Sequence, residues 1–540
     1  MTPSSNDGAA LAEAAPDPDA LASKLRGLFT KQNASTEQLA DQLTNAVIRR
    51  FSASEDVSTS IQVRTLANGF LHTLVPEDSI DLAEYLRFLA DQVLAHSSHN
   101  GSPLCLSHMT PPTPHFMPQL AKLVAATNQN LVRLDASKAL TPFERETLGL
   151  LHRLVYGRGD EFYREHVQEP NSALGMIVSG GTLANVAALW CARASCLPET
   201  GDFGGAEQDG LANALRHHAC TGALILGSAS MHYSFIKAAG MLGLGRKSLV
   251  QLPVDRADRL ELAALRQAVR RCRDDGKRIV AIVGVAGSTN AGAVDPLRDI
   301  AEIAQEAGCS FHVDAAWGCP VLFSARHRHK LDGIELADSV TIDGHKQLYL
   351  PLGTGVVLFS NPSTSRAIQQ EAHYILRPSS HDQGKRTIEG SRPASALFLH
   401  AALHMIGRSG FEFLIDEGIR QARYAAAAVR ARPELELLID PELNILLYRC
   451  IPPQHRAALE EGRLTTEAQQ AINRFNEKIH RVQRGAGHIL VSRTSFARGT
   501  AAVPMVALRA VFANPLTTDR HIDTMLEDQL RIALSVQLER

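Results

Sequence analysis

Short apolar runs alternate with helical stretches across residues 135–395. Runs such as "RIVAIVGVAG" and "DSVTI" are rich in Val and Ile and have no polar face, and stretches such as "PLRDIAEIAQEAG" between them carry helical periodicity. Strands that are apolar on both faces and alternate with helices are typical of a mainly parallel sheet covered on both sides. The pattern therefore predicts a large α/β domain.

The flanking regions have different patterns. Residues 1–20 are rich in Ala, Pro, Asp and Ser and are predicted to form a disordered tail. Residues 21–134 carry apolar residues at helical spacing, as in "STEQLADQLTNAVIRRF", and predict a helical segment that must pack on another domain or another subunit. Residues 396–540 combine long helical patterns with short strands such as "NILLYRC" and predict a smaller α+β domain.

Composition excludes several classes of partner. The formal net charge of -2 over 540 residues gives no basic field for nucleic acid, and the longest apolar runs are too short to cross a membrane. The first residues have neither the charged nor the apolar region of a signal peptide. The 8 cysteines are scattered, without a CxxC or a zinc-like spacing. We expect a cytoplasmic protein with reduced thiols, no bound metal and a small-molecule partner.

Five of the predicted strands end in residue types that often bind ligands. In chain order these are Gly181 and Thr182, then His232, then Thr289, then Asp314 and Ala316, and finally Asp343, His345 and Lys346. Each group also has an ordinary structural interpretation, such as a glycine turn, a satisfied histidine or a solvated loop lysine. In open α/β sheets, however, ligands bind beyond the carboxyl ends of the strands. We therefore expect the five ends to share one ligand.

Pyridoxal 5'-phosphate accounts for all five strand ends. This cofactor needs a phosphate cradle, a carboxylate that keeps its ring nitrogen protonated, a flat group over its ring and a lysine that binds it covalently. A glycine turn that opens a helix favours a phosphate, because its backbone N–H groups and the helix dipole attract an anion. The sequence predicts Lys346 as the covalent anchor, Asp314 as the carboxylate and His232 as the flat group.

The segments "VSGGTLAN", "ASMHYSF", "GSTNAGAVDP", "FHVDAAWG" and "IDGHK" resemble those of the group II pyridoxal-phosphate-dependent decarboxylases, which include glutamate, aromatic-amino-acid and cysteine-sulfinate decarboxylases. The resemblance runs from about residue 100 to the end. Within the family, "LSHMTPPTPHFMPQLAKLV" is most similar to bacterial aspartate 1-decarboxylases, with glutamate decarboxylases next. The resemblance implies the fold type I of pyridoxal-phosphate-dependent transferases, similar to aspartate aminotransferase, and a homodimer with its active site at the subunit interface.

The resemblance also implies roles for individual residues. Lys346 holds the cofactor, Asp314 pairs with its ring nitrogen, and His232 stacks on the ring and contacts the substrate carboxylate. The other implied contacts are Gly181, Thr182, Asp343 and His345 at the phosphate, Thr289 at the cofactor hydroxyl or ring edge, and Ala316 against the ring. Arg509 matches the family arginine that binds a substrate carboxylate, and His108 falls near a substrate-side position of the glutamate enzymes.

One position departs from the family pattern. Many members use a tyrosine on a loop to protonate Cα after CO2 has left. In "HYILRPSSHDQGKRTIEGSR", His381 stands at that place. It is either the acid or a solvated loop histidine, because imidazole can serve as a general acid near neutral pH. Tyr374 is a second candidate for the acid.

The favoured function is α-decarboxylation of an acidic amino acid, with aspartate giving β-alanine for pantothenate supply. Glutamate giving 4-aminobutyrate is the first alternative, and cysteine sulfinate is another. A pocket separates substrates that differ by one methylene by only roughly 1–3 kcal/mol, so the sequence leaves this choice open. An aminotransferase, an aldolase or an aldehyde-forming enzyme on the same scaffold also stays open. Intact Lys346, Asp314 and His232 argue against a non-catalytic protein.

Overall fold

The computed structural model describes residues 18–29, 34–54, 56–370, 380–497 and 503–538. The chain divides into two compact units. The N-terminal unit comprises Met1–Ser54 and Gln62–Ser97, and the main unit comprises Glu55–Ile61 and Ser98–Arg540. Most of the predicted tail of residues 1–20 lies outside the described residues, and so does Tyr374.

The helices of the N-terminal unit are α1 (Pro18–Phe29), α2 (Ala34–Ser52), α3 (Val63–Ala67) and α4 (Leu82–Phe88). Helix α4 begins after Asp81, whose carboxylate accepts the backbone N–H of Glu84 at 2.7 Å and so caps the helix. Many large apolar side chains of this unit are exposed within the single chain, among them Leu74 at 89% and Val75 at 91%.

The helices of the main unit are α5 (Met117–Thr127), α6 (Leu134–Ser137), α7 (Leu140–Tyr156), α8 (Asp160–His166), α9 (Gly181–Cys196), α10 (Gly205–Gln208), α11 (Leu211–His217), α12 (Ser234–Met241), α13 (Leu262–Asp274), α14 (Leu297–Ala307), α15 (Ala396–Met405), α16 (Gly407–Arg430), α17 (Pro453–Glu460), α18 (Thr466–Ala486) and α19 (Asp519–Leu538). The strands are β1 (Cys105–Leu106), β2 (Gly175–Val178), β3 (Gly222–Ser228), β4 (Leu249–Leu252), β5 (Lys277–Val285), β6 (Ser310–Asp314), β7 (Ser339–Asp343), β8 (Gly355–Phe359), β9 (Leu435–Ile439), β10 (Ile445–Cys450), β11 (Leu490–Phe496) and β12 (Met505–Val511).

The larger sheet has seven strands in the order β2-β8-β7-β6-β5-β3-β4. The pairs from β7 to β4 are parallel, and β8 is antiparallel to both of its neighbours. Ile282 of β5 packs in the cluster that contains Ile300 of α14, whereas Val283 packs in a second cluster with Leu189 of α9. Helices thus cover both faces, which confirms the predicted α/β fold and explains why the strands are apolar throughout.

The smaller sheet has the order β1-β11-β12-β10-β9 and packs against α16, α18 and α19. Strand β1 lies within the stretch predicted as helical, yet it pairs in parallel with β11 near the end of the chain. The stretch around Cys105 therefore contributes to the C-terminal sheet. Within the described residues, no helix is long and apolar enough to cross a membrane.

Candidate active site

The carboxyl ends of five strands of the larger sheet meet at one cavity. Strands β2, β3, β5, β6 and β7 run in the same direction, because β2 and β7 are each antiparallel to β8. The cavity holds about 350 Å³. Its lining includes Gly181, Thr182, His232, Thr289, Asp314, Ala316, Asp343, His345 and Lys346. The structure therefore brings together all nine residues predicted to contact a cofactor.

The glycine turn after β2 presents unpaired donors to this cavity. Helix α9 begins at Gly181, and the first helical bond runs from the Ala184 N–H to the Gly180 carbonyl at 3.1 Å. Among the residues that the structure describes, the backbone N–H groups of Gly181, Thr182 and Leu183 have no protein acceptor. Free N–H groups at a helix N-terminus attract an anion. The turn can therefore hold a phosphate.

The first residue of β8, Gly355, packs closely against the backbone of this turn at Gly180. A Cβ built at Gly355 would lie 2.5 Å from the carbonyl carbon of Gly180, so only glycine allows this approach. On the outer side of the turn, the Ser179 N–H donates to the Glu389 carboxylate at 2.8 Å. The backbone of β8 and the side chain of Glu389 together fix the position of the phosphate-binding turn.

Asp314 ends β6 and is held by donors on both of its oxygens. The Ala316 N–H donates to Oδ1 and the Asn185 side-chain amide donates to Oδ2, each at 3.1 Å. Asp314 is 7% exposed. Each oxygen of a carboxylate has more than one acceptor position, so these two contacts leave acceptor capacity free. Asp314 can therefore accept a further N–H or N⁺–H from the cavity.

Behind Asp314 lies a chain of hydrogen bonds with one direction. The Asn185 amide nitrogen donates to Ser234 Oγ at 3.0 Å as well as to Asp314, so its oxygen must accept, and it lies 3.0 Å from His312 Nε2. His312 Nε2 consequently carries the proton, and Nδ1 accepts from the Ser339 hydroxyl at 2.9 Å. Burial lowers the pKa of His312 to about 4, which keeps the imidazole neutral. In this series of hydrogen bonds, His312 donates to Asn185 and Asn185 donates to Asp314.

His232 lies at the cavity after β3. Its Nδ1 accepts the Ser234 N–H at 3.3 Å, which leaves the proton on Nε2. Burial lowers the pKa of His232, and Lys346 lowers it further, while Asp314 and Asp343 act in the opposite direction. His232 therefore offers a neutral flat ring to the cavity.

The turn after β7 brings together a carboxylate and two basic groups. Asp343 Oδ2 lies 3.7 Å from Lys346 Nζ, and Asp343 Oδ1 lies 2.8 Å from His345 Nδ1 without the alignment of a hydrogen bond. Asp343 is 5% exposed, and the Lys346 side chain is 18% exposed. The lysine amine is thus sheltered but reaches the cavity.

These groups fit pyridoxal 5'-phosphate. The free N–H groups of Gly181 and Thr182 suit its phosphate, and the acceptor oxygens of Asp314 suit its ring nitrogen. The neutral ring of His232 and the amine of Lys346 supply the remaining requirements. Other residues that line the cavity were not among the predicted contacts, and they include Asn185, Ser230 and Trp317. Asn185 had a detectable signal, since it is an amide that stands between the apolar residues Ala184 and Val186 in helix α9.

Three predicted residues are not among those that line the cavity. Arg509 on β12 is buried, and its Nη1 donates to Ser492 Oγ at 2.8 Å. Burial lowers the pKa of Arg509 to about 10, so the group remains charged at neutral pH. His108 keeps much of its surface exposed in the single chain, but partial desolvation of its ring and the nearby Arg509 lower its pKa. His381 Nε2 lies 2.8 Å from the carbonyl oxygen of Gln168. Their functional roles stay predictions.

Comparisons with known proteins identify the family of this chain. The chain matches the pyridoxal-dependent decarboxylase conserved domain over residues 81–451. It is 39% identical to an aspartate 1-decarboxylase of Aliivibrio fischeri over 527 residues, which cover 96% of each chain. It is 31% identical to an L-2,4-diaminobutyrate decarboxylase of Rhizobium meliloti over 384 residues, 70% of this chain and 71% of the relative.

A solved structure shows the same fold. The crystal structure of mouse CSAD in its apo form superposes with a TM-score of 0.80 at 24% identity, and the match covers 92% of this chain and 99% of that chain. The conserved decarboxylase domain extends over more than half of the present chain. The chain therefore belongs to the pyridoxal-dependent decarboxylases, and it is a carboxy-lyase that uses pyridoxal 5'-phosphate.

Proposed function

We propose that this enzyme removes the α-carboxyl group of L-aspartate and releases β-alanine and CO2. The similarity to the aspartate 1-decarboxylase over 96% of both chains supports aspartate as the substrate. The structural observation that carries the choice of an acidic substrate is the environment of Arg509.

Among the described residues, Arg509 is a buried cation that has no protein counterion. It is 8% exposed, and no carboxylate lies within ion-pair distance of it in the part of the chain that the structure describes. Its Nε is buried without an acceptor, while Nη1 is held by Ser492. An unpaired buried charge is unfavourable, and a planar guanidinium suits a carboxylate. A substrate carboxylate would therefore complete this site.

Arg509 is linked to the cofactor cavity through the smaller sheet. Ser492 lies opposite Arg509 in the β11–β12 pairing, and Thr494, two residues further along β11, donates to the side-chain oxygen of Asn290 at 2.7 Å. Asn290 follows the cavity residue Thr289. This connection supports a substrate that reaches from the cavity toward Arg509.

The bound cofactor supplies an electron sink for the electron pair left on Cα when CO2 departs. In the proposed mechanism, Lys346 would hold the cofactor, and Gly181, Thr182 and His345 would bind its phosphate. Asp314 would accept the N–H of the ring nitrogen and hold that proton, which would make the ring electron-withdrawing. The neutral imidazole of His232 would cover the cofactor and help to exclude water, and Thr289 and Ala316 would also contact it.

His381 is proposed to deliver the proton to Cα, with Tyr374, outside the described residues, as the alternative. Imidazole titrates near neutral pH and can serve as this acid. His381 now contacts Gln168, so it must exchange that contact for one with the substrate. His108, close to Arg509, is proposed to contact the distal end of the substrate.

We propose a homodimer in the cytoplasm. The exposed apolar side chains of the N-terminal unit, such as Leu74 and Val75, support burial against a second copy. The eight cysteines are free thiols, as expected for a reducing compartment. Light scattering of the full chain should give twice 58.5 kDa, and the double variant Leu74→Glu/Val75→Glu should shift it toward the monomer. A monomeric wild type would contradict the dimer.

The substrate is tested by incubating the cofactor-loaded enzyme separately with aspartate, glutamate and cysteine sulfinate, and quantifying CO2 and the amine product. β-Alanine from aspartate with little turnover of the others supports the proposal and a role in pantothenate supply. Preferred release of 4-aminobutyrate from glutamate would replace it. Arg509→Met should lower kcat/KM for the acidic substrate by about 10- to 100-fold, because charged hydrogen bonds contribute about 1.5–3 kcal/mol each.

A further inference from the structure

A buried carboxylate outside the cavity joins the two turns that present His232 and Thr289. Asp258 Oδ1 accepts the Ser230 hydroxyl at 2.6 Å, and Oδ2 accepts the Ser288 hydroxyl at 2.8 Å. Ser230 lines the cavity two residues before His232. Ser288 directly precedes Thr289. We propose that Asp258 is a positioning residue that sets the distance between these two turns and thereby the width of the cofactor-ring site.

The hydrogen bond between Asp258 and Ser288 also affects the backbone of the turn after β5. Ser288 Oγ also accepts the backbone N–H groups of Ala291 at 3.3 Å and Ala293 at 3.2 Å. The Gly292 N–H donates to the Ser288 carbonyl at 2.8 Å. Ser288 therefore organises the whole turn after β5, and Asp258 fixes Ser288 from outside the sheet.

The loop that carries Asp258 is itself rigid. Asp255 accepts the backbone N–H groups of Ala257 at 2.8 Å and Arg259 at 3.0 Å, and it also pairs with the Arg259 guanidinium at 2.9 Å. The following residue, Leu260, donates its N–H to the buried Asp295 at 2.7 Å. Because hydrogen bonds hold the loop at Asp255 and at Leu260, the loop keeps the Asp258 carboxylate in a fixed position.

The backbone at Asp258 indicates that its side chain is required. Its φ is 63°, in the left-handed region that glycine occupies without strain and that other residues occupy at a cost. Asp258 is also 5% exposed and, among the described residues, has no basic side chain within ion-pair distance. A buried carboxylate that has a strained backbone and lacks a counterion does not stabilise the fold. The two hydrogen bonds that Asp258 makes to the turns at the cavity explain why a carboxylate is present at this position.

The inference rests on the proposed function in one respect, the assignment of the cavity to the cofactor ring, and it does not depend on the substrate. Asp258→Gly removes both acceptor oxygens and leaves the Ser230 and Ser288 hydroxyls unpaired, but it also suits the positive φ and removes a buried charge, so the apo protein should still fold with at most a modest loss of melting temperature. Asp258→Asn retains the shape, accepts one hydroxyl and donates to the other, and should largely restore binding.

We would measure the dissociation constant of pyridoxal 5'-phosphate and the visible circular dichroism of the bound cofactor. Asp258→Gly should weaken binding by about 10- to 100-fold and change the dichroic band, which reports ring orientation, while Asp258→Asn should stay near wild type. A merely structural role would lower the melting temperature of the apo protein and leave the dichroism of the bound form unchanged.

Wild-type affinity and dichroism in Asp258→Gly would overturn the inference. If that variant does not fold, Ser230→Ala and Ser288→Ala each cut one of the two links, and unchanged dichroism in both would overturn it equally. Failure of aspartate turnover with normal cofactor binding would contradict only the proposed substrate. Failure of the wild type to bind the cofactor in this cavity, judged with Lys346→Ala, would overturn both proposals.

Discussion

Replacement of Asn185 by alanine tests whether the hydrogen-bond chain behind Asp314 orients the carboxylate. Asn185 is 1% exposed and makes three hydrogen bonds, to Ser234, Asp314 and His312. The substitution removes the donor on Asp314 Oδ2. It also leaves the buried His312 N–H without an acceptor.

The size of the effect follows from these bonds. A hydrogen bond to a charged group contributes about 1.5–3 kcal/mol, and a buried donor left without a partner costs about 1–3 kcal/mol. If the bond to Asp314 matters mainly when the cofactor is bound, its loss should raise the dissociation constant of pyridoxal 5'-phosphate by about 10- to 150-fold. The unpaired His312 N–H should lower the stability of the apo and the loaded protein equally, because it is unpaired in both.

The assay is equilibrium dialysis of the cofactor, combined with thermal unfolding of the apo protein. Asn476→Ala serves as the matched control, since Asn476 is also buried and bonds to both backbone groups of Cys450 in the smaller sheet. Both variants should lose stability, but only Asn185→Ala should lose cofactor affinity. Equal cofactor affinity in wild type and Asn185→Ala, with the expected loss of stability, would refute the orienting role.

Three further outcomes are expected. Gly355→Ala should weaken cofactor binding in dialysis because its Cβ would lie 2.5 Å from the Gly180 backbone, whereas Gly240→Ala, with no atom within 4 Å, should not. Burial lowers the pKa of His152 to about 4, so stability should fall as pH drops from about 6.5 to 4, by roughly 3 kcal/mol from this group; urea titrations should show a flatter dependence for His152→Gln. His381→Gln should raise the fraction of by-products relative to amine if His381 protonates Cα, and an unchanged ratio by chromatography would exclude that role.

The strand ends show how far a sequence can predict a site. Each of His232, Thr289, Asp314 and Lys346 comes shortly after a run whose pattern identifies it as a buried strand. Parallel strands place their carboxyl ends at one edge of the sheet, so locating the strands was enough to place these residues together. The structure places these residues at one cavity, and this placement required only local pattern and one general rule of topology, while their roles stay predictions.

Other features depend on contacts between distant parts of the chain. Strand β1 formed in a stretch predicted as helical because β11, almost 400 positions away, provides its partner; the paired residues are Cys105 and Leu490. The burial of Arg509, and its lack of a carboxylate partner within the described part of the chain, likewise could not be predicted from the sequence, since a motif gives the residue but not its neighbours. Nothing local distinguishes such positions from ordinary strand residues.

The α/β sheet, the family and the residues that meet at the cavity could be predicted from the sequence, because hydrophobic periodicity and short motifs each occupy a few consecutive positions. How those residues are held could not be predicted, because it depends on contacts between elements that are distant in the sequence. Asn185 and Asp314 are 129 positions apart, and Asp258 reaches Ser230 and Ser288 across 28 and 30 positions. Hydrogen bonds of this kind depend on distances within about 3 Å between side chains from different elements, and the packing of the whole unit sets those distances.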